Sequence, residues 1–224
     1  PAVIEPAEEA GPRHPISPPE PPPGQRELVP LPPLDDSDAY FLLALVDVFG
    51  TDIESVLIKD ALIDRIVASV DNLPRDHVAE KIRPVGRLPD FFQTDTSGDN
   101  GPIFLSPENY PRYDPLIGVM AIADIDAIVD AYRRFYPLFQ EAYQRLGYPD
   151  GYFNDRVVEV IDHLLATPEP QEPIRLVRPH VLYEFADPGL EALSTGQKLL
   201  LRVGPEHAAT VKQFLRELRA RVSR

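Results

Sequence analysis

Three carboxylates and a histidine are spaced so that they could act together. Asp155, Glu159 and Asp162 are four and three residues apart, and His163 lies four beyond Glu159. On a helix these steps place the side chains on one face. Two carboxylates across a groove can serve as acid and base in glycoside hydrolysis when about 5–9.5 Å apart, and Asp150, Asp155 and Glu159 are the candidates. A Glu and a His one turn apart can also hold a metal or share a proton. The plainer alternative is a solvated acidic face, with Arg156 paired to Glu159 and His163 hydrogen-bonded at the edge of the core. It is preferred, because structural ion pairs mimic functional ones.

Tyrosine supplies the second signal. Seven of the nine tyrosines fall between Tyr110 and Tyr152. Tyr132, Tyr136 and Tyr143 sit on an apolar stripe and read as core. Tyr110, Tyr113, Tyr148 and Tyr152 belong to loops or helix ends, where an apolar ring with a polar tip suits loop anchoring or ligand contact. The candidate binding surface is therefore Tyr148, Asp150, Tyr152, Asn154, Asp155, Arg156, Glu159 and His163. No catalytic residue, cofactor site or metal set is assigned. The sequence has no glycine-rich phosphate loop, no HExxH, no nucleophile elbow and no calcium loop, and the five histidines show no ligand spacing among themselves.

Two helices position this surface. The first runs over about 124–146, capped by Asp124, whose carboxylate can accept from the free amides of the first turn. Its stripe is Ile125, Ile128, Val129, Tyr132, Phe135, Tyr136, Phe139, Tyr143 and Leu146. Pro137 removes a backbone donor, which predicts a kink or short break near Phe135. Gly147 ends the helix. The second helix covers about 150–166 with Asp150 as its cap, and Phe153, Val157, Val160, Ile161, Leu164 and Leu165 form its stripe. The short loop between them predicts an antiparallel pair sharing a core.

Around the pair, Asp35 starts a helix that ends at Gly50, and a second runs from about Lys59 to Asp71. Two short aromatic and β-branched runs flank a Gly, Asn and Asp cluster and predict a β-hairpin at about 90–105. Ile174–Val177 is a candidate strand to pair with it. Ser106-Pro107 reads as a cap followed by proline at the first helical position. Pro111 and Pro115 then leave only short helical pieces before Asp124. Ser194 or Thr195 starts a helix ending at Gly204. The last helix buries Val211, Phe214, Leu215, Leu218 and Val222. The expected fold is mainly α: a helical bundle around the pair, with the hairpin attached.

Composition bounds the function. The 224 residues carry a formal net charge of −14 and no cysteine. Nucleic acid is not an expected partner of so acidic a body, and disulfides, thiolate metal sites and cysteine nucleophiles are excluded. From Gly196 to Arg224, seven Lys and Arg face only Glu206 and Glu217; this basic helix is read as docking on the acidic body. Residues 1–33 hold twelve of the 27 prolines and read as a disordered linker, a spacer of polyproline II character. Residues 34–224 form one globular domain. No run of roughly eighteen apolar residues is present, and the chain has no initiator methionine, so an anchor upstream of Pro1 is an expectation.

Six separated segments resemble one family. They are Ser37-Asp38; Val70-Asp71-Asn72-Leu73-Pro74-Arg75; Asn109-Tyr110 with Arg112-Tyr113-Asp114; Gly147 through Arg156; Ile161 through Leu165; and Gly196 through Leu200 with Gly204-Pro205-Glu206. The chain is similar over roughly Leu31 to Arg219 to the uncharacterised bacterial family catalogued as domain of unknown function 3014. The resemblance implies a Gram-negative source and an N-terminal membrane anchor ahead of the proline-rich linker, with the domain at the periplasmic face of the inner membrane. It brings no known activity. The expected function is a membrane-tethered envelope interaction module with a protein partner. The alternative is a glycan- or peptidoglycan-binding domain or hydrolase using carboxylates near the 148–163 loop and helix.

Overall fold

A computed structural model describes residues 11–20, 28–96, 98 and 101–223. The chain is mainly α, with a small antiparallel sheet on one side. After a 3-10 turn at Leu34–Asp36 come α1 (Asp38–Phe49), α2 (Ile53–Val56) and α3 (Leu62–Asn72). Strands β1 (Thr94–Thr96) and β2 (Ile103–Leu105) follow, then a 3-10 segment (Pro107–Tyr113), α4 (Asp114–Ile122), α5 (Ile125–Arg145) and α6 (Phe153–Leu165). The chain ends with β3 (Arg175–Val177), β4 (Glu184–Phe185), α7 (Pro188–Glu191), α8 (Thr195–Arg202) and α9 (Pro205–Val222).

The main core lies where α1, α3 and α5 meet the first residue of α6. Phe41, Leu62, Ile63, Val67, Phe135, Phe139 and Phe153 are buried there. Phe41 meets Phe135 edge-on at 4.9 Å between ring centroids, and Phe139 stacks on Phe153 at 5.7 Å. Each such side chain contributes about 1.5–3 kcal/mol on leaving water. The expected pair is present but does not pack mainly on itself. α5 leans chiefly on α3, then equally on α1 and α9, and α6 on α9 and α3. Val158 of α6 and Val222 of α9 are buried with Val129 of α5 in a second cluster.

Of the kink or short break expected near Phe135 the break is absent, since α5 runs unbroken through Pro137. Phe135, Leu138 and Phe139 are buried on either side of it, and their packing exceeds the roughly 3 kcal/mol that an interior proline costs. α6 starts at Phe153, three residues beyond Asp150, and no side chain of its own segment caps it. Instead Gln140 of α5 reaches across. Its Oε1 accepts from the Phe153 amide at 2.9 Å, and its Nε2 donates to the Gly151 carbonyl at 2.7 Å. A cap supplied by another helix leaves no mark in the local sequence.

The hairpin pairs Thr94 with Leu105 and Thr96 with Ile103; residues 97, 99 and 100 at its tip lie outside the described residues. β3 joins β2, with Ile103 opposite Leu176, and β4 joins β3. The sheet order is β1-β2-β3-β4. Its inward residues Leu105, Leu176 and Phe185 pack on Leu201 of α8. Ser106 caps the segment after β2, accepting from the Glu108 amide. Pro115 stands at the first turn of α4, where its missing N–H costs nothing, so this helix is longer than its prolines predicted.

Part of the expected linker lies on the body. Residues 1–10 and 21–27 fall outside the described residues. Residues 12, 14 and 16 are half-buried while 11, 13 and 15 face solvent, and the chain bends at residues 13 and 14. The residues that hold this stretch against the body belong to α6.

Candidate functional site

The residues read from the sequence divide into separate groups. The first is built on Asp71, at the last turn of α3 and 1% exposed. Its Oδ1 accepts from Arg156 Nε at 3.0 Å, and its backbone carbonyl from Arg156 Nη2 at 2.8 Å. Its Oδ2 accepts from Arg75 at 2.6 Å and from the Tyr148 hydroxyl at 3.2 Å. Arg75 also donates to that hydroxyl at 2.9 Å. Arg156 reaches on to Glu159 at 3.0 Å, the pairing the spacing had indicated. Burial works against the Arg156 charge, yet Glu159 and Asp71 outweigh it and hold its pKa above the ordinary arginine value. Tyr148 stacks on Tyr143 with centroids 4.6 Å apart, so its ring is an anchor for the loop. Burial, then the nearby Asp71 charge, push the Tyr143 phenol up.

This hub fastens segments far apart in sequence. The Arg75 carbonyl accepts from the Thr195 amide at 2.8 Å, and the Leu73 carbonyl from Gly196 at 2.9 Å. A Cβ on Gly196 would stand 2.7 Å from Leu164 and 3.0 Å from the Leu73 oxygen, so glycine is what allows the approach. His163 donates to or accepts from Ser194 Oγ at 2.8 Å, and Ser194 forms a capping box with Gln197 at the start of α8. Histidine 163 thus braces α8 and does not join Glu159. Among the described residues no group of three or more His, Asp or Glu is placed to hold a metal ion. Asp150 and Tyr152 are exposed in the loop.

The second group is a cleft between the start of α6 and the end of α9. Asp155 presents both oxygens to residues 13 and 14. Its Oδ2 accepts from the Arg13 amide at 2.9 Å, and its Oδ1 from the His14 amide at 2.7 Å. Asn154, fully buried, donates to the His14 carbonyl at 2.8 Å and to the Val222 carbonyl at 2.7 Å. Its own oxygen accepts from the Tyr132 hydroxyl at 3.1 Å. His14 Nδ1 lies 3.3 Å from the Ser223 carbonyl oxygen, and Ile16 packs on Val129, Val158 and Val222. The floor is tied by Arg219 of α9, which forks onto both oxygens of Asp162. That contact lowers the Asp162 pKa. The hydrogen bonds from Asn154 and Asp155 to the segment go to its backbone, while Asp155 also stands 3.8 Å from the Arg13 guanidinium, so the cleft holds this bend chiefly by groups every peptide has.

A family model described as Protein of unknown function (DUF3014) matches residues 62–219. The chain belongs to that family. No curated protein and no solved structure matches it. The matched DUF3014 span includes the whole Asp71 hub and the α6 wall of the cleft; residues 13–16 lie before it. No helix among the described residues is long and apolar enough to cross a membrane.

Several residues of this DUF3014 chain escaped sequence reasoning. Asp71 had a signal, because it stands four residues after Val67 on an otherwise apolar stripe. Lys212 is 4% exposed on α9, where its ammonium donates to the Thr167 carbonyl at 2.8 Å and to Glu169 at 2.7 Å. It stands beside Val211, but a stripe counted in apolar residues passes over it. Tyr110, which the sequence did mark as a candidate anchor, packs against Gly204 and donates to Glu172, and burial, then Glu172, push its phenol up. Arg13, His14 and Ile16 were hidden by the prolines around them.

Proposed function

We propose that the domain is a protein-binding module of the bacterial envelope, tethered through its proline-rich N-terminal stretch, and that the α6–α9 cleft is where it takes a polypeptide. The observation that carries this reading is the double acceptance by Asp155 of two successive backbone amides, beside the Asn154 amide that donates to the carbonyl between them and Pro15. Capture of a peptide's backbone amides and carbonyls by fixed polar groups, with a pocket for a side chain, is a recurrent mode of peptide binding.

The test is a cross-linking pull-down from envelope membranes with the full-length tethered protein, wild type beside Asp155→Ala/Glu159→Ala. A partner enriched by wild type and lost by the variant is the expected result. Equal recovery by wild type, variant and bare beads would remove the proposal.

A further inference from the structure

Resting on that reading, we infer that residues 13–16 are a resident ligand of the cleft, and that the partner presents a segment of the same kind, admitted only as the resident leaves. The resident fits as a bound peptide fits a receptor. In Gly11-Pro12-Arg13-His14-Pro15-Ile16-Ser17-Pro18, Arg13 and His14 keep their N–H groups between Pro12 and Pro15, and these are the amides that Asp155 takes. Each proline fixes its own φ and restricts the residue before it, which lowers the entropy lost on binding.

Side chains are read at every second position. His14 and Ile16 face the body, and Ile16 enters the apolar pocket formed by Val129, Val158 and Val222. Arg13 stays largely in solvent, its side chain 71% exposed and its Nε 3.8 Å from Asp155 Oδ2, so that position adds only a loose ion pair. The ligand class follows: a segment bent so that two free amides in succession reach one carboxylate, with a hydrogen-bonding side chain on the second and an aliphatic residue two further on.

Residency in cis also predicts a regulated site. Twelve residues, 17–28, lie between the resident and Val29, whose carbonyl accepts from Arg134 of the body. A tether of that order gives an effective concentration of about 1 mM. For an intrinsic Kd of about 0.1 mM the resident would hold the cleft about ten to one, and an added peptide would bind about tenfold more weakly than to a vacant cleft.

The probe is an acetylated, fluorescein-labelled octapeptide with the sequence of residues 11–18, followed by fluorescence polarisation. The proteins are the full chain and the full chain carrying His14→Pro/Ile16→Asp, which disables the resident without touching the body. The altered chain is expected to bind the octapeptide about tenfold more tightly than wild type. An octapeptide carrying Ile16→Asp should lose binding to that same protein, a control independent of any change to the body, and adding Asp155→Ala to the altered chain should abolish binding. Equal affinity of the two proteins, no binding to the altered chain at millimolar peptide, or indifference to either control would overturn the proposal. A dimeric wild type that the octapeptide dissociates would overturn it too, making a second copy the source of the segment. Alongside the envelope pull-down the two readings separate. A partner recovered equally by wild type and the resident-disabled chain removes the resident ligand and leaves the module standing.

Discussion

Replacing Asp71 with alanine tests the hub most directly. The substitution removes the carboxylate that faces Arg156, and the two side chains are 2% and 17% exposed. Breaking a buried pair from one side costs about 3–5 kcal/mol, because a charge is left without its partner. Three structural details set where in that range the value falls. Arg75 is half exposed, so its pairing is worth at most about 1 kcal/mol. The Tyr148 hydroxyl loses an acceptor, worth about 1 kcal/mol. Arg156 keeps both Glu159 and the backbone carbonyl of residue 71, which softens its isolation. The expected loss is therefore about 3 kcal/mol, which for a chain of this size lowers Tm by about 6–12 °C. Thermal melts by circular dichroism and urea titrations with an unchanged m-value measure it. Asp71→Ala/Arg156→Met then separates causes. If the cost is an orphaned charge, the double variant regains a good part of the stability lost by the single one. A fall in Tm below about 2 °C, or simple additivity of the two substitutions, would refute the account.

Three further outcomes are expected. Gly204→Ala should destabilise the chain by about 1–3 kcal/mol from backbone geometry alone, because Gly204 has φ +87°, and by more because a Cβ would stand 2.6 Å from the Tyr110 ring; adding Tyr110→Ala should relieve the second part only, read by urea titration. Gln140→Ala should cost about 0.5–2 kcal/mol and raise amide exchange selectively at Phe153 and the first turn of α6. The Asp162–Arg219 contact should depend on pH. The Asp162 pKa is depressed in the folded chain, so its contribution is present above the unfolded value near 4 and lost as pH falls through the folded one. Melting curves of wild type and Asp162→Asn should differ slightly near neutrality and merge in strong acid.

The parts of this fold that show in the sequence are those fixed by local patterning. α3, α5, α8 and α9 follow from apolar periodicity, and the caps at Asp124, Ser106 and Ser194 from the residues themselves. The hairpin was legible through its turn residues, and the third strand through its β-branched run. The rest is decided by partners distant in sequence. The start of α6 is set by Gln140 in another helix. β4 is two residues long and exists because β3 supplies a partner. The candidate surface shows the same divide. The sequence drew attention to Asn154, Asp155 and Arg156, but spacing along one helix could not reveal that Arg156 turns inward to Asp71 while Asp155 faces residues 13 and 14. The proline-rich stretch was read by composition, and composition does not show that two of its amides meet a carboxylate 141 and 142 residues away.

The walled-in ammonium of Lys212 turns amine chemistry into a clock for this fold. Of the four lysines, Lys59 and Lys81 are open to solvent, while Lys212 spends its donors on Thr167 and Glu169. An acylating reagent in excess should mark the first two at once. It should reach Lys212 only in molecules whose last long helix has lifted from the turn that follows α6. Peptide mass mapping of that single site against time would then give the frequency of this opening event, with no reporter group introduced into the chain.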